Sequence, residues 1–556
     1  MVNFFLTPLG PGLVLLLAAL ALTFVRRRLS WLVSLVIALL AMLGAGGLLL
    51  WLAASGQVGP FVWAWDPVTL SGGLWQWQID GWSWLAALLL LLLGLVAALM
   101  AWEEPSAGRS STLAATLLVL AAALAFVFSA NLLTLAAGWV MLDLALGLRV
   151  MAEGEDGPGG RPWVLNSLGA LLLLAALLFA GPEGAQQPLS AETALLSVLA
   201  LLLAALLRCG AYPFHIWLLP QGQRGPSSFI TVHLIAPLTG LWLLGRAHGL
   251  AGPYYHLQPA WAAVGVLGLL GSGLAAWLTD EEGSRTAWVA INRVSLAVLA
   301  TALASVQGLA AMAWPLAMWA LGVGSLVVGQ AIRRRSGWRP LLGLAVLTLI
   351  GFPGTPGFPA RWVLSQLIAL PVLLSPLWLL ALLAETLIAA ALLPALLCRG
   401  AEVRRCGGAP LLPRSPAPLL LCSLIPAVLL AVPLLVWGLQ PPILASYAGL
   451  SADVSLFRPL SAQVRQISPL AWVSLTLPWV AGALLAWKRE SLLAGRRSGQ
   501  EALRRVARLE WGRRALGWIV ERVADVLRGL GAVVEGEGYL GWLGLAALLG
   551  WLLWNL

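Results

Sequence analysis

Charged residues are scarce in this chain of 556 residues, of which 10% are Asp, Glu, Lys or Arg and 60% are hydrophobic. A soluble globule needs a polar shell around its core, so a composition this poor in charge excludes the ordinary soluble class. Spanning a bilayer takes about 20 apolar residues per helix, and such runs follow one another along most of the chain. The composition therefore predicts an all-α polytopic membrane protein.

Cysteine and lysine are scarce as well. The four cysteines, Cys209, Cys398, Cys406 and Cys422, show no paired spacing, which argues against disulfides, a metal site or an iron–sulfur cluster. We find no nucleotide-binding motif, so we expect no cofactor and no redox chemistry in this chain. The net charge is +10 with Lys488 as the only lysine. Arginines in short loops between apolar runs are typical of membrane topology, not of a nucleic-acid-binding surface.

The apolar runs predict sixteen spans. They lie at 4–25, 31–54, 80–102, 111–129, 131–150, 163–181, 191–219, 227–246, 259–279, 286–306, 311–332, 339–372, 376–398, 417–438, 468–487 and 538–555. Basic residues follow odd-numbered spans, at 26–28, 333–335, 399–405 and 488–489. The positive-inside rule makes that side cytoplasmic, which places both termini outside the inner or plasma membrane. The start of the chain lacks the basic stretch of a signal peptide, so the first run is expected to stay as a helix.

The seventh span carries the cluster RCGAYPFHIW at 208–217. Pro213 removes a backbone donor and clashes with the preceding turn, so we expect the helix to break there. A break is tolerated in a bilayer only where the freed carbonyls face protein or a water-lined cavity. Arg208 and His215 are seven residues apart, two turns along one helix face, and are candidate pathway residues. The alternative is that Arg208 only pairs with a carboxylate for packing.

The eighth span opens with GPSSFITVH at 225–233. His233, about two turns into the helix, is a candidate to exchange a proton near neutral pH. The alternative interpretation is a hydrogen-bonding residue between helices.

A second break is predicted in the twelfth span, where GFPGTPGFPARW at 351–362 contains three prolines and three glycines. Pro353, Gly354, Pro356 and Gly357 mark the break, and Arg361 lies just beyond it. Carbonyls freed by such a break are natural partners for cations or ordered water. Two broken segments five spans apart indicate a transporter core with inverted repeats.

Acidic residues within the spans are few. Asp143 lies in the fifth span and Glu385 in the thirteenth, and either is a candidate partner for Arg208 or Arg361. The sequence does not decide which carboxylate pairs with which arginine. Asp80 starts the third span and is expected to cap that helix.

The order of these motifs resembles a known family. IDGWS (79–83), SANLLTL (129–135), YPFHIW (212–217), GPSS through His233, and GFPGTPGF (351–358) look like the antiporter-like subunits of respiratory complex I, Mrp cation/proton antiporters and membrane-bound hydrogenases. The resemblance covers about residues 78–398. It implies a core of fourteen helices with inverted repeats and two discontinuous helices.

The same resemblance suggests four regions. These are 1–77 (two helices and an external loop), 78–398 (the antiporter-like core), 399–490 (two more spans) and 491–556 (a lateral helix and a last span). Residues 499–531 combine arginines with apolar residues at helical spacing, which predicts a basic amphipathic helix. It is either an anchor on the cytoplasmic membrane face or a clamp along a neighbouring subunit.

The chain departs from the family at the basic positions. The family's buried lysine before the first break falls on Arg208, and its lysine or glutamate after the second falls on Arg361. The family's glutamate in the fifth helix falls on Val140, and Asp143 is the nearest substitute. The lysine usual in the tenth or eleventh span has no counterpart, and Arg293 is a weak stand-in.

The resemblance implies a proton- or sodium-translocating membrane subunit of a multisubunit complex, with partner subunits carrying any redox chemistry. Its pathway residues would be Asp143, Arg208, His215, His233, Arg361 and Glu385. Because a guanidinium stays protonated, the alternative is a degenerate, non-conducting homologue that serves as a membrane scaffold. An unrelated polytopic enzyme or lipid transporter is a third class, but the loops are too short and plain to supply its catalytic groups.

Overall fold

The computed structural model describes most of the chain. The described residues are 4–25, 29–55, 60–65, 73–103, 109–152, 160–189, 194–219, 225–250, 258–303, 310–366, 375–397, 423–447 and 468–493, with single positions or short pieces up to 525. The chain forms two compact units, Met1–Gln500 and Glu501–Leu556. The predicted last span at 538–555 and most of the predicted amphipathic helix at 499–531 lie outside the described residues.

Helices dominate the described residues because the apolar runs are rich in Leu and Ala, which lose little side-chain freedom in a helix. They are α1 (Gly10–Val25), α2 (Trp31–Ser55), α3 (Gly81–Met100), α4 (Arg109–Val127), α5 (Leu132–Ala152), α6 (Gly160–Gln186), α7 (Leu195–Cys209), α8 (Pro226–Ile230), α9 (Ala236–Leu250), α10 (Gln258–Leu278), α11 (Glu282–Leu303), α12 (Ala310–Ala317), α13 (Gly324–Ser336), α14 (Pro340–Leu349), α15 (Gly357–Gln366), α16 (Ser375–Leu392), α17 (Pro394–Leu397), α18 (Ile425–Leu439), α19 (Pro441–Tyr447), α20 (Pro469–Trp487) and α21 (Arg489–Leu493). Short 3₁₀ turns cover Phe4–Leu6, Ala101–Glu103 and His215–Leu218.

Within the described residues, eight helices are long and apolar enough to cross a bilayer. They are Trp31–Ser55, Gly81–Met100, Ser110–Val127, Leu132–Ala152, Pro226–Ala247, Pro259–Leu278, Met312–Ser336 and Pro376–Leu396. Six shorter apolar helices accompany them, at Gly10–Val25, Leu168–Gly181, Leu195–Cys209, Pro340–Leu349, Ile425–Leu439 and Ala471–Trp487. The chain is thus an all-α, multi-pass membrane protein, and the count of sixteen spans stays a prediction.

Two stretches, Pro226–Ala247 and Met312–Ser336, lie in the core of the bundle. The most apolar part of each is entirely buried. Each contains a π-helical segment, at Thr231–Ile235 and Met318–Val323. The outer helix α2 instead exposes large apolar side chains such as Leu40. An apolar exterior of this kind suits contact with lipid, and polar groups are left for the interior.

A β-hairpin occupies part of the loop that was predicted to be external. Phe61–Trp65 pairs antiparallel with Gly73–Trp77, which the sequence analysis did not predict. The SANLLTL motif holds this hairpin, because the Asn131 side-chain amide donates to the Leu74 carbonyl at 2.6 Å. Thr134 Oγ1 donates to the Gln76 carbonyl at 3.0 Å. The loop is therefore attached to the start of α5.

Ion pairs bring several helix ends together at one end of the bundle. Arg333 and Arg334, at the end of α13, lie 2.5 and 2.9 Å from the carboxylate of Glu282. Arg489, after α20, lies 2.6 Å from Asp280, two residues before Glu282. Residues 333–334 and 489 thus share one end of the bundle, in agreement with their predicted grouping on one side of the membrane.

Candidate functional site

The helical path of the predicted seventh span stops at Cys209, the last residue of α7. Gly210 follows in the left-handed conformation, with φ 64° and ψ 38°, which glycine adopts without steric penalty. A Cβ there would lie 2.0 Å from Leu218 Cδ1. The helix therefore ends four residues before Pro213, and Gly210 terminates it, not the proline as predicted. The Tyr212–Pro213 peptide bond beyond it is cis.

Arg208 lies in the last turn of α7 and is fully buried. Its Nη1 donates to Asp143 Oδ1 at 2.5 Å, and its guanidinium carbon lies 3.8 Å from the centre of the Trp139 ring. Trp139 and Asp143 are four residues apart on α5, so they share one helix face. The structure thus resolves the choice that the sequence left open, because Asp143 is the partner of Arg208.

His215 opens the 3₁₀ turn that follows the break and is also fully buried. Its ring stacks on Tyr212, with centroids 4.9 Å apart and planes 6° apart, and lies 4.7 Å from the ring of Trp288. The sequence analysis placed Arg208 and His215 on one helix face. Because α7 ends before His215, the two residues do not share a continuous helix face. Instead His215 packs between the broken segment and α11.

His233 lies in the π-helical segment Thr231–Ile235 and is 3% exposed. Its ring centroid is 4.9 Å from that of Phe229. The helix that leads into this segment, α8, begins after Gly225 as predicted. Pro226 occupies its first helical position, where the missing N–H costs nothing.

The predicted twelfth span is divided between α14, which ends at Leu349, and α15, which begins at Gly357. Pro353, Gly354 and Pro356 lie in the non-helical stretch between them, and Gly354 has a φ of 83°. Gly351 has a φ of 75°, and a Cβ on it would lie 2.3 Å from the Cδ of Arg361. The glycine is required there for both reasons.

The carbonyl of Ile350, freed at the end of α14, is satisfied by protein donors. It accepts hydrogen bonds from Arg361 Nη1 and, at 2.8 Å, from Trp479 Nε1. The Leu475 carbonyl lies 3.4 Å from the same Arg361 nitrogen. Carbonyls at a helix C-terminus carry partial negative charge. The cationic side chain of Arg361 therefore lies where the break was expected to attract a cation.

Glu385 on α16 is shared by two arginines. Its Oε2 lies 3.0 Å from Arg361 Nε and accepts a hydrogen bond of 3.1 Å from Arg293 Nη1. Its Oε1 lies 2.8 Å from Arg293 Nη2. Each of the three residues is at most 2% exposed. We refer to Arg293, Arg361 and Glu385 as the Glu385 cluster.

Arg293 was only a weak candidate in the sequence, although it belongs to this cluster. The signal that pointed to it was a basic residue inside an apolar run, beside Asn292. Arg149 was missed altogether. It is fully buried, and its Nε donates to Thr116 Oγ1 at 3.2 Å.

Helix α11 connects the two groups of charges. Trp288, which contacts the ring of His215, lies five residues before Arg293 on this helix. His215 is therefore in contact with the helix that supplies the Glu385 cluster, and it follows closely after Arg208 in the chain. Of the residues described, no group of three or more His, Cys, Asp or Glu side chains is placed to hold a metal ion.

This arrangement of helices is found in two solved complexes. The structure of the Mrp complex from Dietzia sp. DQ12-45-1b contains a chain that matches with a TM-score of 0.67 and 20% identity, over 94% of this chain and 63% of that one. The fold is that of an antiporter-like membrane subunit. The membrane-bound sulfane sulfur reductase, an archaeal respiratory membrane complex, contains a chain that matches with a TM-score of 0.67 and 16% identity, over 98% and 99% of the two chains.

The antiporter-like fold confirms the resemblance that the sequence motifs predicted. At these identities the likeness establishes the fold alone, and this chain spans 63% of the length of the matched Mrp chain. No family model matches the sequence, and no curated protein matches it either.

Proposed function

We propose that this chain is the proton- or sodium-translocating membrane subunit of a multisubunit complex of the complex-I-like NADH:quinone oxidoreductase or Mrp type. The supporting observation is that each of the two helix interruptions lies beside a buried arginine–carboxylate ion pair. Any redox chemistry belongs to partner subunits, and the partners of this chain are other membrane subunits and the bilayer. Its location is the inner or plasma membrane, with both termini on the external face.

The two interruptions function as discontinuous transmembrane helices. Their breaks comprise Pro213, Pro353, Gly354, Pro356 and Gly357. A charged side chain in the hydrocarbon is tolerated where it faces the bundle interior or a water-filled cavity and has a partner. The buried pairs next to these breaks meet both conditions, which supports a hydrated central axis through the antiporter-like core.

Within this axis the arginines hold charge, and other groups carry protons. A guanidinium remains protonated in proteins, so Arg208 and Arg361 order water and hold the carboxylates ionised. The groups that exchange protons are the carboxylates Asp143 and Glu385, the imidazoles of His215 and His233, and ordered water. Translocation then depends on breaking and reforming the ion pairs.

A non-conducting scaffold is the second candidate. It is favoured by one observation: apart from two histidines, the basic residues buried in the described part of the chain are all arginines. The single lysine, Lys488, follows α20 at the surface. A degenerate homologue of this kind keeps the fold and its contacts with neighbouring subunits but moves no ions.

The two candidates are separated by reconstituting the chain, with the subunits that copurify, into vesicles that contain a pH-sensitive dye. An imposed potential produces proton flux if the chain conducts, and both Asp143→Asn and His233→Ala abolish it. Arg334→Gln, at the exposed end of the bundle, is the matched control and retains flux. Absence of flux from the folded wild-type assembly supports the scaffold.

A further inference from the structure

The two buried ion-pair groups differ in their charge balance. Arg208 has one carboxylate, Asp143, and the pair is neutral. In the Glu385 cluster two guanidinium groups share one carboxylate, which leaves an excess of one positive charge. Neither arginine can discharge this excess by losing a proton.

The described residues supply only part of the missing negative charge. The Ile350 carbonyl, at the C-terminus of α14, contributes a partial charge through its hydrogen bond with Arg361. Its donor, Nη1, also donates to the Leu475 carbonyl at 3.4 Å. A helix terminus amounts to about half an elementary charge, so it reduces the excess without removing it.

Several guanidinium N–H groups of the cluster have no acceptor within the described part of the chain. Nη2 of Arg361 and Nε of Arg293 are buried and lack a hydrogen-bond partner there. Both side chains are at least 99% buried. A buried donor attached to a cation is expected to meet an acceptor, and preferably a charged one. The excess charge and the open donors thus occur on the same two residues.

We propose that the Glu385 cluster binds a small monovalent inorganic anion, with chloride as the representative, between the guanidinium groups of Arg293 and Arg361. One negative charge makes the cluster neutral, and the anion accepts the N–H groups that Glu385 and the carbonyls leave open. A divalent anion such as sulfate would reverse the imbalance. The proposal does not rest on translocation, because a conducting subunit and a scaffold have the same charge to balance.

The test is thermal unfolding of the purified full-length chain, followed by its tryptophan fluorescence, in chloride or bromide against gluconate at equal ionic strength. Wild type shows a saturable rise in unfolding temperature with either halide. Arg293→Gln and Arg361→Gln each leave a neutral pair and lose this response. Glu385→Gln leaves two unpaired cations and reaches half-saturation at about a tenfold lower chloride concentration. Arg333→Gln, which alters an ion pair at the bundle end, responds as wild type does.

A second measurement does not depend on the stability of any variant. Bound chloride broadens the ³⁵Cl magnetic resonance line of the wild-type sample, and bromide displaces it and restores the narrow line. The proposal is overturned if wild type unfolds identically in halide and gluconate and shows no displaceable broadening. It is also overturned if Arg293→Gln retains the full halide response, because the anion then binds elsewhere.

Discussion

The face of the Trp139 indole lies 3.8 Å from the guanidinium carbon of Arg208, so the ring covers one side of this buried cation. Asp143, one turn further along the same helix, receives the hydrogen bond from the edge of the group. A single face of α5 thus supplies both an aromatic surface and a carboxylate. Arg208 is held at the end of α7 by two contacts of different physical origin, cation–π attraction and ion pairing.

Asp143→Asn is predicted to destabilise the protein, because it leaves the buried Arg208 charge without a counter-charge. Breaking a buried pair from one side costs about 3–5 kcal/mol. The double variant Asp143→Asn/Arg208→Gln removes both charges and recovers most of that loss. Thermal unfolding in detergent, converted to a double-mutant cycle, measures the coupling. A loss in the double variant equal to the sum of the losses of Asp143→Asn and Arg208→Gln alone would show that the ion pair is not coupled.

Gly351→Ala is predicted to destabilise the second break. Its φ of 75° disfavours any side chain, and the added Cβ would lie 2.3 Å from Arg361 Cδ, for a total cost of about 2–3 kcal/mol. Gly337→Ala is the matched control, since its φ is 72° but nothing lies within 4 Å of the added Cβ. It is expected to cost about 1 kcal/mol. Equal losses in urea unfolding would mean that Arg361 moves aside without penalty.

The sequence predicted the membrane class and the two interruptions, because charge, proline and glycine are conspicuous in apolar runs. The role of the six candidate pathway residues stays a prediction. The sequence did not assign the partner of each arginine. Asp143 and Arg208 are 65 residues apart, and only the tertiary fold, in which α6 packs against both α5 and α7, brings them together. The position of the first break was misassigned because the left-handed Gly210 ended the helix before Pro213 could. The hairpin was missed because the segment between the second and third predicted spans was assigned to a loop.

Two variants of Asp80 separate its two contacts. The carboxylate caps α3 by accepting the Ser83 N–H at 2.8 Å, and it also pairs with Arg246. Asp80→Asn preserves the cap and is predicted to cost at most about 1 kcal/mol, because the ion pair is partly exposed. Asp80→Ala loses the cap too, at about 1 kcal/mol more. Ser468→Ala, which removes only the cap of α20, should match that second increment in thermal unfolding. Equal losses for the Asn and Ala variants would assign the whole effect to Arg246.

Arg208→Lys is predicted to increase proton flux in vesicles if the axis conducts. The ammonium preserves the positive charge beside Asp143, but a buried lysine can shift its pKa towards neutrality and release its proton, which a guanidinium cannot do. A positioned proton-transfer group raises rates substantially, and we expect an increase of about tenfold or more. Stability falls by about 1 kcal/mol, because the ammonium lacks the flat face that stacks on Trp139.

The control for that substitution is Arg333→Lys, which makes the same chemical change at the bundle end, beside Glu282. It leaves flux unchanged, because a partly exposed ammonium paired with Glu282 keeps its proton and lies outside the central axis. Both variants are compared at equal amounts of folded protein, determined from tryptophan fluorescence. If Arg208→Lys is folded and shows no more flux than wild type, the permanent charge at Arg208 does not limit conduction. The presence of arginine at position 208, where the family that the sequence resembles has a lysine, then has a structural basis. The guanidinium suits the position between Trp139 and Asp143 better than an ammonium does.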